Sequence, residues 1–288
     1  MTSAPKGLLP VRPADFHKGQ AGRVLVVAGS VGKSGAAWLC AQAALRAGAG
    51  LVTLALPKSL QLAMAAKLTE VMSEGLPETR EGSLSLQALP ALVHLVEQSD
   101  AVAIGPGLSQ HQQTKALVRQ LLPRITKPLV VDADGLNALA EDVGLLKRLL
   151  LPIIVTPHPG EMGRLIRQSA EEVQRDRQRT ASSFATKYRV IVILKGHATV
   201  IASFDGAVAV NDTGNPGMAS GGMGDVLTGM IAGLLGQRLS LVDAARLGVY
   251  LHGLAGDLAA AERGQIGLLA SDVLGTIPLA IRRYQEGR

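Results

Sequence analysis

The sequence predicts an α/β fold, with a mostly parallel central sheet, helices on both faces and an antiparallel edge. Short apolar runs alternate with stretches of helical periodicity as far as residue 194. Near residue 200, two strand-like runs flank an Asp-Gly pair, which is typical of a β-hairpin. Hydrophobic residues make up 47% of the chain but aromatic residues only 2%. A core of Ala, Val, Leu and Ile suits helices packed closely on a sheet.

The elements follow from these runs in chain order. The predicted strands are 23–28, 51–56, 101–104, 129–132, 153–156 and 190–194, followed by the hairpin strands 199–202 and 207–210. The predicted helices are 35–47, 86–98, 112–122, 136–140, 171–188, 225–235, 241–261 and 271–284. No flexible linker or repeat interrupts them, so we expect one domain over residues 1–288, with 1–13 as a flexible lead-in.

Charge and composition exclude several classes of protein. The net charge is +6, but the densest charged run, 164–179, mixes both signs as a solvated helix face does. We therefore expect no nucleic-acid partner. No apolar run reaches about 18 residues, so no membrane span is predicted. The single cysteine, Cys40, excludes an intrachain disulfide and is expected to be a buried, inert thiol, which together with these features predicts a cytoplasmic protein.

Four predicted strands end directly at turns rich in Gly, Pro and Asp. These turns are 28–30, 105–107, 132–135 and 156–161. In open parallel sheets, ligands bind beyond the carboxyl ends of the strands, so the turns are expected to line one crevice. Residues 29–34 resemble a P-loop, but Val27 occupies the position of that motif's first glycine. Lys33 is therefore expected to be a loop lysine with only a weak claim on phosphate.

Segment 211–225 is the strongest functional signal, because five of its fifteen residues are glycine and an apolar helix follows. Gly221, Gly222 and Gly224 allow backbone N–H groups to converge, and the helix adds its positive end. This combination predicts an anion hole for a transferring phosphoryl group. Asp225 is the candidate catalytic base that accepts a proton from an attacking hydroxyl. The alternative role for Asp225 is that of an N-cap or first-turn acid of the helix.

Two further turns contain candidate binding residues. Lys195 and Thr199 can donate to phosphate or ribose around Gly196, although a plain β-turn is the alternative. His158 and Glu161 stand three residues apart without a third ligand, so no metal is expected to be bound directly by the protein. Glu161 is instead expected to reach nucleotide-bound Mg²⁺ through water.

Together, these stretches resemble the ADP/ATP-dependent NAD(P)H-hydrate dehydratases of the ribokinase-like superfamily. The similar stretches are 35–37, 43–52, 105–108, 132–137, 156–161, 194–196 and 215–225. The resemblance implies a ribokinase-like fold and a lyase that repairs hydrated NADH and NADPH (NADHX and NADPHX). It also implies ADP or ATP as co-substrate, Mg²⁺ as cofactor and a homotetramer. Some members carry an epimerase domain ahead of the first strand, and here we expect a separate epimerase.

The resemblance also implies roles for individual residues. Substrate contacts fall on Ala37, Gly107, His158 and Asp225, where the match at Ala37 can also be placed on Ala36. Nucleotide contacts fall on Lys195, Gly196, His197, Ala198, Thr199 and Gly224. Asp225 would deprotonate the C6 hydroxyl as it takes up phosphate from ADP, and elimination would give NAD(P)H, AMP and phosphate. A ribokinase-like kinase of a vitamin precursor alcohol and a non-catalytic nucleotide-binding regulator are the alternatives.

Overall fold

The computed structural model describes Pro5 and residues 7–287. The strands are β1 Arg23–Val27, β2 Leu51–Pro57, β3 Met72–Leu76, β4 Ala101–Ile104, β5 Leu129–Val131, β6 Ile154–Val155, β7 Ile191–Leu194, β8 Thr199–Ala202 and β9 Val208–Asn211. Within the described residues they form one nine-stranded sheet in the order β3-β2-β1-β4-β5-β6-β7-β8-β9. Pairs up to β7 are parallel, whereas β8 pairs antiparallel with β7 and with β9. The predicted parallel sheet with an antiparallel edge is confirmed.

Helices cover both faces of this sheet. They are α1 Ser34–Arg46, α2 Lys58–Ala65, α3 Leu89–Glu97, α4 Gln112–Leu121, α5 Asp134–Ala140, α6 Pro159–Ile166, α7 Ala170–Arg175, α8 Arg177–Tyr188, α9 Met223–Gly236, α10 Leu241–Arg263 and α11 Ala270–Gln285. Short 3₁₀ helices occupy Leu86–Ala88, Leu122–Arg124, Val143–Arg148 and Pro216–Met218. Among the described helices, none is long and apolar enough to cross a membrane.

The two faces of the sheet carry separate buried cores. On β1, Val24 and Val26 join the core beneath α1, α9, α10 and α11. Leu25 and Val27 point the other way and join the core beneath α3, α4, α5 and α8. Side chains alternate across a strand, so a strand covered on both faces must be apolar at nearly every position. This explains why the central strands were predictable as continuous apolar runs.

Three elements were not predicted, and one predicted helix is wrong. β3 is an edge strand whose sequence, Met-Ser-Glu-Gly-Leu, has few apolar residues because only part of it is buried. The short helices α2 and α6 also lack a clear apolar period. The predicted helix 171–188 is two helices, because Asp176 leaves helical geometry with φ −148° and caps α8 by accepting from the N–H of Arg179.

The predicted flexible lead-in, 1–13, is only partly visible, because Met1–Ala4 and Lys6 lie outside the described residues. The part that follows makes specific contacts with the folded body. The N–H of Leu8 donates to Tyr284 Oη (3.1 Å), and Arg12 donates to Gly48 O (2.7 Å) and Gln237 Oε1 (2.9 Å). Where we expected a flexible segment, residues 8–12 are bonded to the ends of three helices.

Helices α1 and α9 pack with their backbones in contact. An ideal Cβ at Gly229 would lie 2.0 Å from Cys40 O, and one at Gly233 would lie 2.4 Å from Ala44 O. No side chain fits at either position, so α9 is seated directly on α1. Burial raises the pKa of the Cys40 thiol, and the charges of Asp225 and Asp132 raise it further, so Cys40 is a buried, unreactive thiol as predicted. This packing places the first turn of α9 at the carboxyl edge of the sheet.

We predict that Gly229→Ala lowers the thermal unfolding temperature, because α9 has to move away from α1. Overpacking of this kind costs about 1–3 kcal/mol. The matched control is Gly275→Ala in α11, where nothing lies within 4 Å of the added Cβ. Alanine favours a helix over glycine by about 1 kcal/mol, so the control is expected to stabilise the protein. Equal shifts of both variants in a thermal melt followed by circular dichroism would contradict the close-contact explanation.

Candidate active site

The predicted strand-end turns meet at the carboxyl edge of the parallel strands. The N–H of Gly29 donates to Pro106 O (2.9 Å), and Ser30 Oγ donates to Gly107 O (2.8 Å), so two of the turns are bonded to each other. The turn after β5 lies beside them, because the N–H of Ser109 donates to Asp134 Oδ2 (2.9 Å). In the turn after β6, Pro157 O accepts a hydrogen bond from the N–H of Lys195 (2.9 Å). The turns therefore lie side by side at one edge of the sheet, where the crevice was predicted.

Asp132 links three elements at the base of this crevice. Its side chain is 1% exposed and follows β5 directly. Lys195 Nζ donates to Asp132 Oδ1 (2.7 Å), and Thr228 Oγ1 on α9 donates to Asp132 Oδ2 (2.8 Å). Lys195 Nζ also lies 3.8 Å from Glu161 Oε2. Burial acts to lower the pKa of Lys195, but the charges of Asp132 and Glu161 outweigh it and raise the pKa, so Lys195 stays an ammonium.

The first turn of α9 faces this ammonium. An ideal Cβ at Gly224 would lie 3.2 Å from Lys195 Nζ and 3.7 Å from Asp132 Oδ2. Gly222 is the N-cap with φ +92°, and a Cβ there would lie 2.6 Å from Leu39 Cδ1, so only glycine fits. Gly221 is exposed with nothing within 4 Å of its Cβ position. Of the three glycines predicted to form the anion hole, Gly224 lies next to the Lys195 charge.

Asp225 is the third residue of α9 and is not its N-cap, because Gly222 holds that position. In the described part of the chain, no group donates a hydrogen bond to its carboxylate. Burial, chiefly, and the charge of Asp132 raise the pKa of Asp225 to about 7, while Lys195 opposes the rise. A carboxylate of this kind can accept a proton near neutral pH. Asp225 is therefore not the N-cap, but it is an acid in the first turn of α9, and its surroundings also suit a base.

A strained residue separates two acids of the crevice. Ala133 has φ +48°, a backbone conformation that costs a residue with a Cβ about 1–3 kcal/mol. With this backbone conformation at Ala133, the side chain of Asp132 points towards Lys195 and that of Asp134 points towards Lys33. There Lys33 Nζ donates to Asp134 Oδ2 (3.0 Å), and Asn137 Nδ2 donates to Asp134 Oδ1 (3.1 Å). Lys33 is therefore engaged in an ion pair at the crevice wall, as suits a loop lysine.

His158 and Glu161 form a capping box at the start of α6. His158 Nδ1 accepts from the N–H of Gly160 (3.0 Å), and Glu161 Oε2 accepts from the N–H of His158 (2.8 Å). Because Nδ1 accepts, the proton of the neutral ring is on Nε2. The ring is 50% exposed while the Glu161 side chain is buried. His158 thus has a structural role. The buried Glu161 carboxylate lies between His158 Nε2, 3.4 Å from Oε1, and Lys195 Nζ, 3.8 Å from Oε2.

Ala37 and Gly107 lie together near the start of α1. The Ala37 side chain is 0% exposed, whereas Ala36 is partly exposed. An ideal Cβ at Gly107 would lie 2.8 Å from Lys33 O and 3.1 Å from Ala36 Cβ. Of the two residues to which the substrate contact was matched, Ala36 has the more exposed side chain.

The turn from Lys195 to Thr199 is held from one side by Arg177, which the sequence did not reveal as a site residue. Its guanidinium donates to the backbone oxygens of Leu194 (2.7 Å), Ala198 (3.2 Å) and His197. The N–H groups of residues 196–198 donate to no group among the described residues. Fixing the carbonyls in this way leaves three amides free, and such a turn is suited to bind an anion.

Sequence reasoning also missed Asp132 and Thr228 as parts of the site. Asp132 belongs to the strand-end turn 132–135, and Thr228 lies one helical turn after Asp225 on the same face of α9. Both residues could therefore have been predicted as parts of the site. Arg177 carried none, because its partners are carbonyls of a turn that comes almost twenty residues later.

Comparison with known proteins agrees with this architecture. A sequence model described as NAD(P)H-hydrate dehydratase matches residues 24–279. The bifunctional NAD(P)H-hydrate repair enzyme of Moorella thermoacetica is 52% identical over 278 residues, which are 96% of this chain and 52% of that protein. The chain thus spans about half the length of the curated relatives that it matches.

Solved structures show the same fold. The ADP/ATP-dependent NAD(P)H-hydrate dehydratase of Bacillus subtilis, co-crystallised with ATP and Mg²⁺, is 32% identical, with a TM-score of 0.83 over 96% of this chain and 95% of that one. A ribokinase-like superfamily protein of Enterococcus faecalis is 29% identical, with a TM-score of 0.80 over 95% and 91% of the two chains. The chain belongs to the NAD(P)H-hydrate dehydratase family and has its ribokinase-like fold.

Proposed function

We propose that this chain is an ADP-dependent (S)-NAD(P)H-hydrate dehydratase, which restores NADH and NADPH from their C6-hydrated forms and releases AMP and phosphate. The observation that carries the proposal is Asp225, whose carboxylate has no hydrogen-bond donor in the described residues and a pKa raised to about 7. It lies beside the Gly224 amide and the Lys195 ammonium. A base, an anion hole and a cation in one crevice are what phosphoryl transfer to a hydroxyl requires.

The chemistry assigned to the crevice has two stages. Hydroxide leaves carbon poorly, whereas phosphate is a good leaving group. Asp225 accepts the proton of the C6 hydroxyl as that oxygen attacks the terminal phosphoryl group of ADP, and AMP departs. The lone pair of the ring nitrogen then expels phosphate from C6, and loss of a C5 proton restores the double bond. The amides around Gly224 and the Lys195 ammonium stabilise the negative charge of the transferring group.

Binding of the two substrates is assigned to opposite walls of the crevice. The nucleotide phosphates would bind the free amides of Gly196, His197 and Ala198, with Lys195, Thr199 and Gly224 around them. The hydrated nicotinamide would lie between Ala37, or Ala36 as the alternative match, and Gly107, His158 and Asp225. The ring of His158 supports this placement, because it is half exposed and can contact the substrate, while its Nε2 lies 3.4 Å from Glu161 Oε1.

The donor set of the crevice fits Mg²⁺ brought in with the nucleotide. Asp132, Glu161 and Asp225 surround a single ammonium, Lys195, and a nucleotide would add further negative charge. Among the described residues, no group of three or more His, Cys, Asp or Glu side chains is arranged to hold a metal ion. We therefore assign Glu161 a bond to a water of the ion, since Mg²⁺ keeps several waters. When bound, the ion would offset phosphate charge.

The homotetramer, the separate epimerase and the cytoplasmic location remain predictions.

We predict that mixing the protein with hydrated NADH, ADP and Mg²⁺ restores the absorbance of the reduced nicotinamide ring. Asp225→Asn should reduce kcat about 10²–10⁴-fold, the usual contribution of a general base. The matched control is Asp272→Asn, since Asp272 is also the third residue of its helix, α11, and caps it by accepting from the N–H of Leu269. Near-normal turnover by Asp225→Asn would rule out this base. A stable phosphorylated product would favour a kinase, and nucleotide binding without turnover would favour a regulator.

We predict that kcat/KM rises with pH about a midpoint near 7, because Asp225 acts only when ionised.

The raised pKa of Asp225 also makes the stability of the protein depend on pH. The folded pKa lies above the value of 3.8 expected for an unfolded Asp, so the stabilising contribution is complete below 3.8 and is lost as pH rises through about 7. An asparagine at this position cannot ionise, so Asp225→Asn does not lose stability in this way. Its melting temperature should exceed that of the parent protein at alkaline pH, and the difference should shrink in acid. A difference independent of pH would contradict the raised pKa.

We predict that Arg177→Met raises the KM for ADP about 10-fold or more while the KM for hydrated NADH changes little, because the three carbonyls lose their donors and the turn relaxes. Arg177→Lys should be intermediate, since one ammonium cannot span three carbonyls as a planar guanidinium does. Arg179→Met, on the exposed side of the same helix, is the control. Equal effects on both substrates would argue against a nucleotide-specific role for this turn.

A further inference from the structure

Helix α10 contacts the loop that connects β9 to α9, and the chemistry above does not use this contact. The N–H of Gly214 donates to Asp257 Oδ2 (2.9 Å), and Asn215 Nδ2 donates to Asp257 Oδ1 (2.9 Å). Two turns earlier on α10, Thr213 Oγ1 donates to Tyr250 O (3.0 Å). A single carboxylate therefore holds two consecutive residues of the loop.

The loop lies directly on the backbone of α10. An ideal Cβ at Gly253 would lie 2.1 Å from Thr213 Oγ1, and one at Gly256 would lie 2.2 Å from Met218 Sδ. Side chains at these positions would push the loop away from the helix. In the segment His-Gly-Leu-Ala-Gly-Asp, 252–257, Gly253 and Gly256 thus let the loop contact the helix closely, and Asp257 binds the loop by hydrogen bonds.

The anchored residues continue into the predicted anion hole. Asn215 Oδ1 accepts from the N–H of Gly217 (3.0 Å) and so caps the 3₁₀ helix Pro216–Met218. Further along, Ser220 Oγ donates to Leu268 O (3.2 Å). The chain is thereby fixed up to the residue before Gly221. Its path decides where the amides of 221–224 point.

The choice of a carboxylate at this position needs an explanation. Asp257 is half-buried, and no Lys or Arg among the described residues pairs with it. Its negative charge opposes the binding of a phosphate nearby. What a carboxylate offers is two acceptor oxygens, one for each loop donor. An amide offers one acceptor, and its NH₂ group would face the N–H of Gly214.

We propose that Asp257 is a positioning residue for phosphoryl transfer, which sets the path of the loop Thr213–Met218 and so aims the amides of 221–224 at the transferring group. Asp257 itself touches no reactant. This inference rests on the function proposed above. Small displacements of groups that act in the transition state reduce the rate of the chemical step more than substrate binding.

The test compares Asp257→Asn with Asp243→Asn in the parent enzyme. Asp243 is in the first turn of α10, where it caps the helix with Ser240 and lies apart from the loop. We expect Asp257→Asn to lower kcat about 10–100-fold, with KM for ADP and hydrated NADH within about twofold. Hydrogen exchange of residues 213–224 should speed up in Asp257→Asn but not in Asp243→Asn.

A double variant separates positioning from general damage. Asn215→Ala removes the contact that Asn215 shares with Asp257, together with the cap on Gly217. Because one contact is common to both changes, Asp257→Asn with Asn215→Ala should lose less kcat than the two single losses combined. Additive losses, unchanged exchange or parental kcat in Asp257→Asn would overturn the inference. If the parent shows no dehydration, the proposed function fails, while faster exchange in Asp257→Asn would still support the anchoring of the loop.

Discussion

The carboxylate of Asp132 is the contact on which the rest of the site depends. It binds Lys195 from the turn after β7 and Thr228 from α9, so a single buried side chain joins the sheet, a loop and a helix. A buried carboxylate needs a cation and full hydrogen bonding to be tolerated, and both are provided here. The same charge acts on Asp225 and helps to hold its proton until near neutral pH. Stability and chemistry therefore share one ion pair.

Two charged side chains of opposite sign, Arg177 and Asp257, bind the backbone of the two loops near this ion pair. Arg177 donates to carbonyls beneath the turn after β7 and leaves its amides free. Asp257 instead accepts from the first residues of the loop ahead of α9. A cation and an anion, neither of which is assigned a chemical step, thus each fix one of the two loops that are proposed to bind phosphate. Main-chain donors held in this way need little rearrangement during a reaction.

Much of the fold was predictable because its central strands are buried on both faces. Such strands must be apolar throughout, and the Asp-Gly pair at 205–206 marks the antiparallel hairpin at the sheet edge. The edge strand β3 was missed because only one side of it is covered, so polar residues and a glycine are tolerated there. The break between α7 and α8 was missed because Asp176 has a capping role that the charge pattern does not distinguish from a solvated face.

The sequence by itself determined the glycine-rich approach to α9, the acid that follows it and the strand-end turns, because these depend on residue types that are adjacent in the chain. Only the tertiary structure decided that Lys195 lies against Asp132, that Arg177 supports a turn and that Asp257 anchors a loop. The partners in these contacts are between 17 and 63 residues apart. Hydrogen bonds and charges act over a few ångströms of space, and no local pattern records which distant residues the fold brings within that range.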